Sequence, residues 1–493
     1  MKRLLLGLIV LLLCAGTLAG CGIRGNVNDN SIGGGASNEE GLDDPFRGAN
    51  NVSSDFKPIF KDLKGRTLKF AHGTSLTGNA DEINWQPTME KDPITYTSMK
   101  DTEKRYNCKI KYFGMTGNVM MTSLQNSYLT GLIDYDVYSV SFPSIPSIIN
   151  TDACLAMSDH YPFGEDPAWA EHPYMADKGW WLGKKYGVNN SIPLGGYAYW
   201  YNKDLMAKFN IKDPWTFFAT DTWNWENFRQ MALKATQRVP EASQCYYGWA
   251  CETPYNSLII SNNADIIKII NGKPTFSLNT PEAKEAIEFV NKLINQDKVF
   301  ASDADLIGIG ANKSLPALFS LSTQRVLFFP YVADFWYCQT VDFNINPKSI
   351  GYIYTPKGPS AKDYRIESRT DNSWWVIPAK ISDPDGVTAA VQDFMAFWSP
   401  WKTNPIPYDQ KFDEFYQKCP ELFASVNSGV RMIDFVKEIP KRTVITYDLN
   451  FQVTGMLDEM FESIRNGSTS INTALAIQGD LIQTQIDSYI KKD

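Results

Sequence analysis

GRTLKFAHG (65–73) alternates apolar and polar residues and stops at glycine, the pattern of a half-buried strand. DPITYTSMKDTEKRYNCKIKYFGM (92–115) follows. Asp92-Pro93 opens a helix with proline at its first position. The helix runs to about Tyr106, and NCKIKYFGM returns as a strand. NVMMTSLQNSYLTGL (118–132) then sets Met120, Leu124, Tyr128 and Leu132 at helical spacing, and YDVYSVSF (135–142) is the next strand. Strand, helix, strand, helix, strand predicts a parallel sheet with helices on its faces, an α/β fold.

The pattern changes beyond 184. A short hairpin-like stretch precedes Pro193-Leu194-Gly195-Gly196, and an aromatic strand, YAYWYN, and a short helix follow, so a crossing to a second lobe is placed near 193–196. NWENFRQMALKATQ (224–237) is a helix with Asn224 as N-cap and Phe228, Met231, Ala232 and Ala235 on one face. NTPEAKEAIEFVNKLINQ (279–296) is another, capped by Thr280, with Ala283, Ile287, Val290 and Ile294 as its buried stripe. KSIGYIYTPKGP and NSWWVIPAK read as strands and DPDGVTAAVQDFMAFW (383–398) as a helix. Two helices close the chain, the first ending at Asn466-Gly467. The last carries Ile471, Leu475, Gln478, Ile482, Ile486 and Tyr489 at steps of three and four.

The first twenty residues differ in kind. Lys2 and Arg3 precede an apolar run, Leu4 to Leu13, too short for the roughly 20 apolar residues of a spanning helix. It ends in small residues, as a secretory signal does. Gly22 to Ser54 is rich in Gly, Asn, Ser and Asp and lacks the apolar surface that offsets ordering entropy. As a flexible coil it spans about 30 Å. Without residues 1–20 the chain of 493 keeps 473, enough for two or three domains, and its formal charge moves from −8 to −10. No basic stripe invites nucleic acid. Six cysteines lie scattered beyond Cys21, without C-x-x-C, and histidines number three, so neither a zinc site nor another cofactor is expected. Cys245 and Cys251 either close a small disulfide or remain buried thiols. Trp (14), Tyr (24) and Phe (27) are abundant; most belong to cores, and a surplus suits a ligand with flat apolar faces, such as a sugar.

Local catalytic signatures are missing. GIGANKS (308–314) has Asn312 where a phosphate loop needs glycine, and the calcium-loop-like stretch from Asp303 has Ser314 in place of its last glutamate. No G-x-S-x-G or H-E-x-x-H occurs. Asp134 and Asp136 flank a strand start and read as loop solvation. A glycosidase carboxylate pair needs no local motif, so a secreted carbohydrate-active enzyme stays as the alternative.

YWYNKDLMAKFNI with TWNWENFRQMALKAT, NGKPTFSLNTPEAKEAIEFVNKLINQDKV, IGYIYTPKGP, NSWWVIPAKISDPDGVTAAVQDFMAFW and GSTSINTALAIQGDLIQTQID resemble, in order, the blocks of bacterial extracellular solute-binding protein family 1, the maltose- and oligosaccharide-binding lipoproteins of ABC importers. Leu18-Ala19-Gly20-Cys21 is similar to a lipobox, which implies cleavage before Cys21 and a lipid on its sulfur. The resemblance implies a two-lobed, periplasmic-binding-protein-like (type II) fold with a hinged interlobe cleft. Its segments are a signal peptide (1–20), a tether (21–60), lobe 1 (61–194), lobe 2 (195–350), a return to lobe 1 (351–400) and C-terminal helices on lobe 2 (401–493). It implies a monomer, anchored by Cys21 to the outer face of the membrane, that carries a carbohydrate to a permease without turning it over; a sensor kinase is the alternative recipient.

Loops at the carboxyl ends of strands point into such a crevice. Candidate ligand residues are therefore Gly73, Thr74 and Ser75 after the first strand, Ser141 and Phe142 after the third, and Tyr197 and Tyr199 past the crossing. The family resemblance adds Trp249, Glu252 and Tyr255 from GWACETPY, and the stretch PYVADFW nominates Tyr331, Asp334 and Trp336. Asp371, Asn372 and Trp374 precede or open a later strand. Rings would stack on sugar faces, and carboxylates and amides would fix hydroxyls. His72 reads as a packed strand-end residue.

Overall fold

The computed structural model describes residues 55–73, 81–82, 92–171, 179–190, 196–312, 324–332, 346, 348–368, 373–410, 412 and 425–490. The signal, Cys21 and most of the tether lie outside them, as do Thr74, Ser75, Asp334, Trp336, Asp371 and Asn372.

The expected first unit is present. β1 (Arg66–His72), α1 (Pro93–Arg105), β2 (Cys108–Gly114), α2 (Gly117–Thr130) and β3 (Val137–Ser141) follow in order. β1 pairs in parallel with β2, Leu68 opposite Ile110 and Phe70 opposite Tyr112, and with β3, Phe70 opposite Val137. Alternation buries Leu68 and Phe70 on one side. Asp92 caps α1 by accepting from Thr95 N at 3.0 Å. Gly131, with φ +73°, ends α2. Leu132 thus falls outside the helix and is 72% exposed, not on the buried stripe its spacing suggested.

The second sheet is built on β4 (Gly196–Asn202), with α3 (Trp225–Ala235), β5 (Tyr247–Trp249), α4 (Pro254–Ser261), α5 (Pro281–Asn291), β6 (Val326–Val332), β7 (Ile350–Ile353) and β8 (Ile366–Ser368) following. The chain then returns to the first sheet as β9 (Ser373–Val376) and α6 (Pro384–Met395), and ends with β10 (Thr443–Ile445), α7 (Thr454–Arg465) and α8 (Ile471–Ser488). Strand order is β9-β3-β1-β2 in the first sheet, edged by the two-residue strand Asp81–Glu82. It is β10-β8-β4-β6-β5 in the second, with β7 also on β4.

Three expectations need correction. A return to the first lobe at 351 is too early: β7 and β8 pair with β4, and the passage falls between Ser368 and Ser373. Residues past 400 begin on the first lobe: Lys402 Nζ donates to Asp393 Oδ2 of α6 at 2.8 Å and to Thr102 Oγ1 of α1 at 3.0 Å. The tether does not reach 60. Phe56 lies 6.3 Å from the Tyr161 ring, Phe60 lies 5.9 Å from Tyr106, and Leu63 is buried. Each buried apolar side chain contributes roughly 1.5–3 kcal/mol, which the Gly/Asn/Ser stretch before it lacks.

The helix from Pro281 departs in a smaller way. After Asn291 it loosens into a π turn, Lys292–Gln296, which shifts the face by one residue. Leu293 fills the core and Ile294 is half-buried.

Most aromatic residues are spent inside. In the second lobe Phe228 sits 5.3 Å from Tyr199, 5.3 Å from Phe328 and 5.9 Å from Trp249, mostly edge-on. In the first, the buried Lys185 ammonium lies 5.3 Å from Trp169 and 5.4 Å from Phe163. Cys245 and Cys251 are buried thiols that are not joined to each other.

Candidate functional site: the junction of the two sheets

Strand pairing locates the junction. Ser368, the last residue of β8, pairs with Gly196, the first of β4. Five positions later Ser373, the first of β9, pairs with Ser141, the last of β3. Five residues reach at most about 18 Å, so the ends of both sheets border one region. A second link runs beside it. Val188 bridges Trp375, Asn189 Nδ2 donates to Ser373 O, and β4 begins at Gly196.

The first sheet brings Ser141, Ser144 and Trp374. Ser141 is exposed, and its hydroxyl lies 2.8 Å from that of Ser144. Phe142 opens the 3-10 turn Phe142–Ser144. Trp374 stands opposite Val140 and lies over Gly179 and Gly187; a Cβ on Gly179 would come within 2.8 Å of its ring. Gly73 is exposed at the end of β1. His72 packs 5.6 Å from Trp375, and burial lowers its pKa, as befits a packed strand-end imidazole.

The second sheet brings Tyr197 and Tyr331. Tyr331 leaves the end of β6 half-buried, and its ring meets Tyr197 edge-on at 6.0 Å. Glu367, opposite Tyr197, is fully buried beside the crossing. Its place in the strand pairing identifies it; the sequence IES carries no local signal of it.

Three nominated residues are core rather than ligand-facing. Tyr199 and Trp249 have no exposure. Burial pushes the Tyr199 hydroxyl well above its ordinary range. Trp249 is enclosed by Phe228 and by Phe300, 5.2 Å away. Tyr255 stacks on Phe461 of α7 at 4.2 Å and donates to Asn291 Oδ1 at 2.7 Å. These rings face the helices that cover the sheet. Glu252 is half-buried between β5 and α4.

Among the described residues no cluster of His, Cys, Asp and Glu can hold a metal, and no helix is long and apolar enough to cross a membrane. At the junction the half-buried Tyr331 and the exposed Ser141 are accessible, backed by Trp374, Tyr197 and Glu367, which are buried beside the crossing.

Two α/β lobes linked by adjacent crossings, with such groups between them, define a two-lobed binding protein of the periplasmic type. The sequence profile of the bacterial extracellular solute-binding proteins matches residues 97–402, well over half of the chain, and the chain belongs to that family. No curated protein matches it in sequence. Solved structures share the fold at low identity. An ABC substrate-binding protein from Listeria monocytogenes in complex with cycloalternan is 16% identical, with 86% of this chain and 99% of that chain covered at a TM-score of 0.55. The cyclic alpha-maltosyl-1,6-maltose binding protein from Arthrobacter globiformis is 13% identical over the same shares, also at 0.55. A Mycobacterium tuberculosis protein, UgpB, in complex with glycerophosphocholine is 16% identical, again over 86% and 99%, at 0.54.

Proposed function

We propose that this chain is the lipid-anchored solute-binding subunit of an ABC importer, and that it holds a carbohydrate, an oligosaccharide in preference to a monosaccharide, between its lobes. The observation that carries the reading is the junction itself. Trp374 from one sheet and the Tyr197–Tyr331 pair from the other flank the same crossing, beside Ser141 and Glu367, with Tyr331 the part-exposed ring and the other two buried behind it. Flat rings suit the apolar faces of a sugar, and buried polar partners select its hydroxyls; omitting one costs roughly 1–3 kcal/mol. The structural neighbours that hold cycloalternan and cyclic maltosyl-maltose support the ligand class.

In this reading lobe 1 comprises residues 61–190 and 373–410, and lobe 2 comprises 196–368 and 425–490. Ligand bound to both half-sites favours the closed arrangement, and the shift in population is the signal that a permease reads. Cys21 carries the anchor, the monomer works alone in the cleft, and the sugar leaves chemically unaltered.

A thermal-shift screen over linear and cyclic oligosaccharides, monosaccharides and peptides tests it. A tight ligand at 100 times its Kd adds about 2.7 kcal/mol of stability by mass action. Saturable 1:1 sugar binding without product is the expected result. Sugar turnover, or a shift with peptides alone, would overturn the reading.

A further inference from the structure

The end of α1 and the start of β2 frame a surface cavity of about 450 Å3, lined by Lys100, Lys104, Lys109, Glu103, Cys108 and Gly65 among others. The charges there do not balance. Glu103 is buried and accepts from Ile110 N at 3.0 Å and from Lys100 Nζ at 2.9 Å; Lys109 Nζ stands 3.8 Å away. Lys104 is exposed and has no ion-pair partner among the described residues. Three ammonium groups thus face the carboxylate of Glu103, with that of Asp62 held at the rim by Asn107 Nδ2 at 2.8 Å, on a chain whose net charge is −8.

We propose that this cavity is an anion site, separate from the interlobe cleft, that takes a phosphate-bearing group. A metal cation is disfavoured by the lysines and by Cys108, whose thiol burial pushes up to about 12, so that it stays protonated. A phosphate group carries at least one negative charge near neutral pH, as a diester, and up to about two as a monoester, which complements the surplus of ammonium groups, and lysine binds phosphate as a point charge. The carbonyl end of α1 opposes an anion, but Lys104 sits in that last turn and offsets it, while Arg105 is engaged by Asp101 and Asp393.

The cavity also marks where the chain joins its body. Leu63 N donates to Tyr106 O at 2.8 Å and Gly65 N to Asn107 O at 2.7 Å, which brings residues 63–65 to the rim. The exposed Lys64 lies beside it, whereas Lys61 is paired with Asp383. A membrane headgroup and a soluble phosphate ester are therefore two sources of one chemistry.

The test is the rate at which an amine-reactive reagent labels each lysine of the full chain, read by peptide mass spectrometry. Four conditions are compared: buffer, inorganic phosphate, phosphatidylcholine vesicles, and vesicles with about 25% phosphatidylglycerol. Slowing of about three-fold or more at Lys100, Lys104 and Lys109, with the exposed Lys268 and Lys441 unchanged, is the expected result, and it should weaken at high salt. Slowing by phosphate assigns a soluble ester; slowing by the anionic vesicles alone assigns a headgroup. No slowing in either, or equal slowing at Lys268 and Lys441, overturns the proposal. In Lys104→Glu, at an exposed position, protection of Lys100 and Lys109 should vanish; persistence also overturns it.

Discussion

Trp181 and Phe451 meet with ring centroids 5.3 Å apart, and neither is exposed to solvent. Trp181 stands on the hairpin formed by Trp180–Trp181 and Lys184–Lys185, against the first sheet. Phe451 follows β10 of the second sheet, and beside it Gln452 Nε2 donates to Ser147 Oγ at 3.4 Å. This is direct packing between the lobes beside the junction, since Ser147 lies three residues past Ser144 and Trp181 two past Gly179.

Trp181→Ala should therefore do two things. Removing a fully buried tryptophan costs about 3–5 kcal/mol. Because the contact joins lobes, unfolding should also split or broaden, and small-angle scattering should show a larger radius in the native baseline. A loss of stability with one sharp transition and an unchanged radius would reduce the contact to ordinary core packing.

Trp249 and Tyr331 separate folding from binding. Trp249→Ala opens a cavity among Phe228 and Phe300 and should cost about 3–5 kcal/mol. Tyr331→Ala trims a half-buried ring at the junction. It should weaken sugar binding about ten-fold, a loss near 1.4 kcal/mol, with a much smaller change in melting temperature. Calorimetry and denaturation on both variants decide it. Equal affinity in Tyr331→Ala and the parent would move the site off β6.

The contrast between those two residues shows what the sequence could tell. β1 to β3 were legible because alternation, helical spacing and caps such as Asp92 are local properties. Sheet membership is not local. IGYIY reads as a strand in either lobe, and its pairing with Tyr199–Asn202 decides the matter. Trp249 and Tyr255 come from the family resemblance and Tyr199 from its place past the crossing, and neither ground tells a ring in a core from a ring in a cleft. Tyr331 and Trp374 stand on strand ends beside the crossing, the first half-buried and the second buried. Glu367 was invisible because its role depends wholly on the strand opposite it.

Asp305 gives a pH signature. Burial alone would raise its pKa, but Ser302 N at 2.9 Å, Ser302 Oγ at 2.8 Å, Tyr247 OH at 3.0 Å and Arg238 outweigh burial and hold it below the ordinary value. A folded pKa below the unfolded one means that the stabilisation is complete above about pH 4 and is lost as pH falls through the lower, folded value. Asp305→Asn should cost about 1 kcal/mol at neutral pH, as a lost cap does. The two melting curves should converge in acid. A difference that persists at pH 2 would show that the carboxylate charge is not what stabilises the turn.

Gly187 and Trp374 link packing to affinity. A Cβ at Gly187 would lie 3.2 Å from Trp374 Cβ and 3.5 Å from its Cε3, tight enough to push the indole by a few tenths of an ångström. Gly179 is less forgiving: its φ is +78°, and a Cβ there would meet Gly187 O at 2.3 Å. Gly187→Ala should cost about 1–3 kcal/mol of stability, the range for overpacking, and Gly179→Ala more. If Trp374 carries one half of the sugar site, Gly187→Ala should also weaken binding several-fold, because a stacked ring loses contact when its plane shifts. Trp374→Ala should weaken it further, and Gly187→Ala added to Trp374→Ala should then change affinity no more, since the ring it acts through is gone. Independent effects of the two substitutions on affinity would separate Trp374 from the ligand and leave the glycines a purely structural duty.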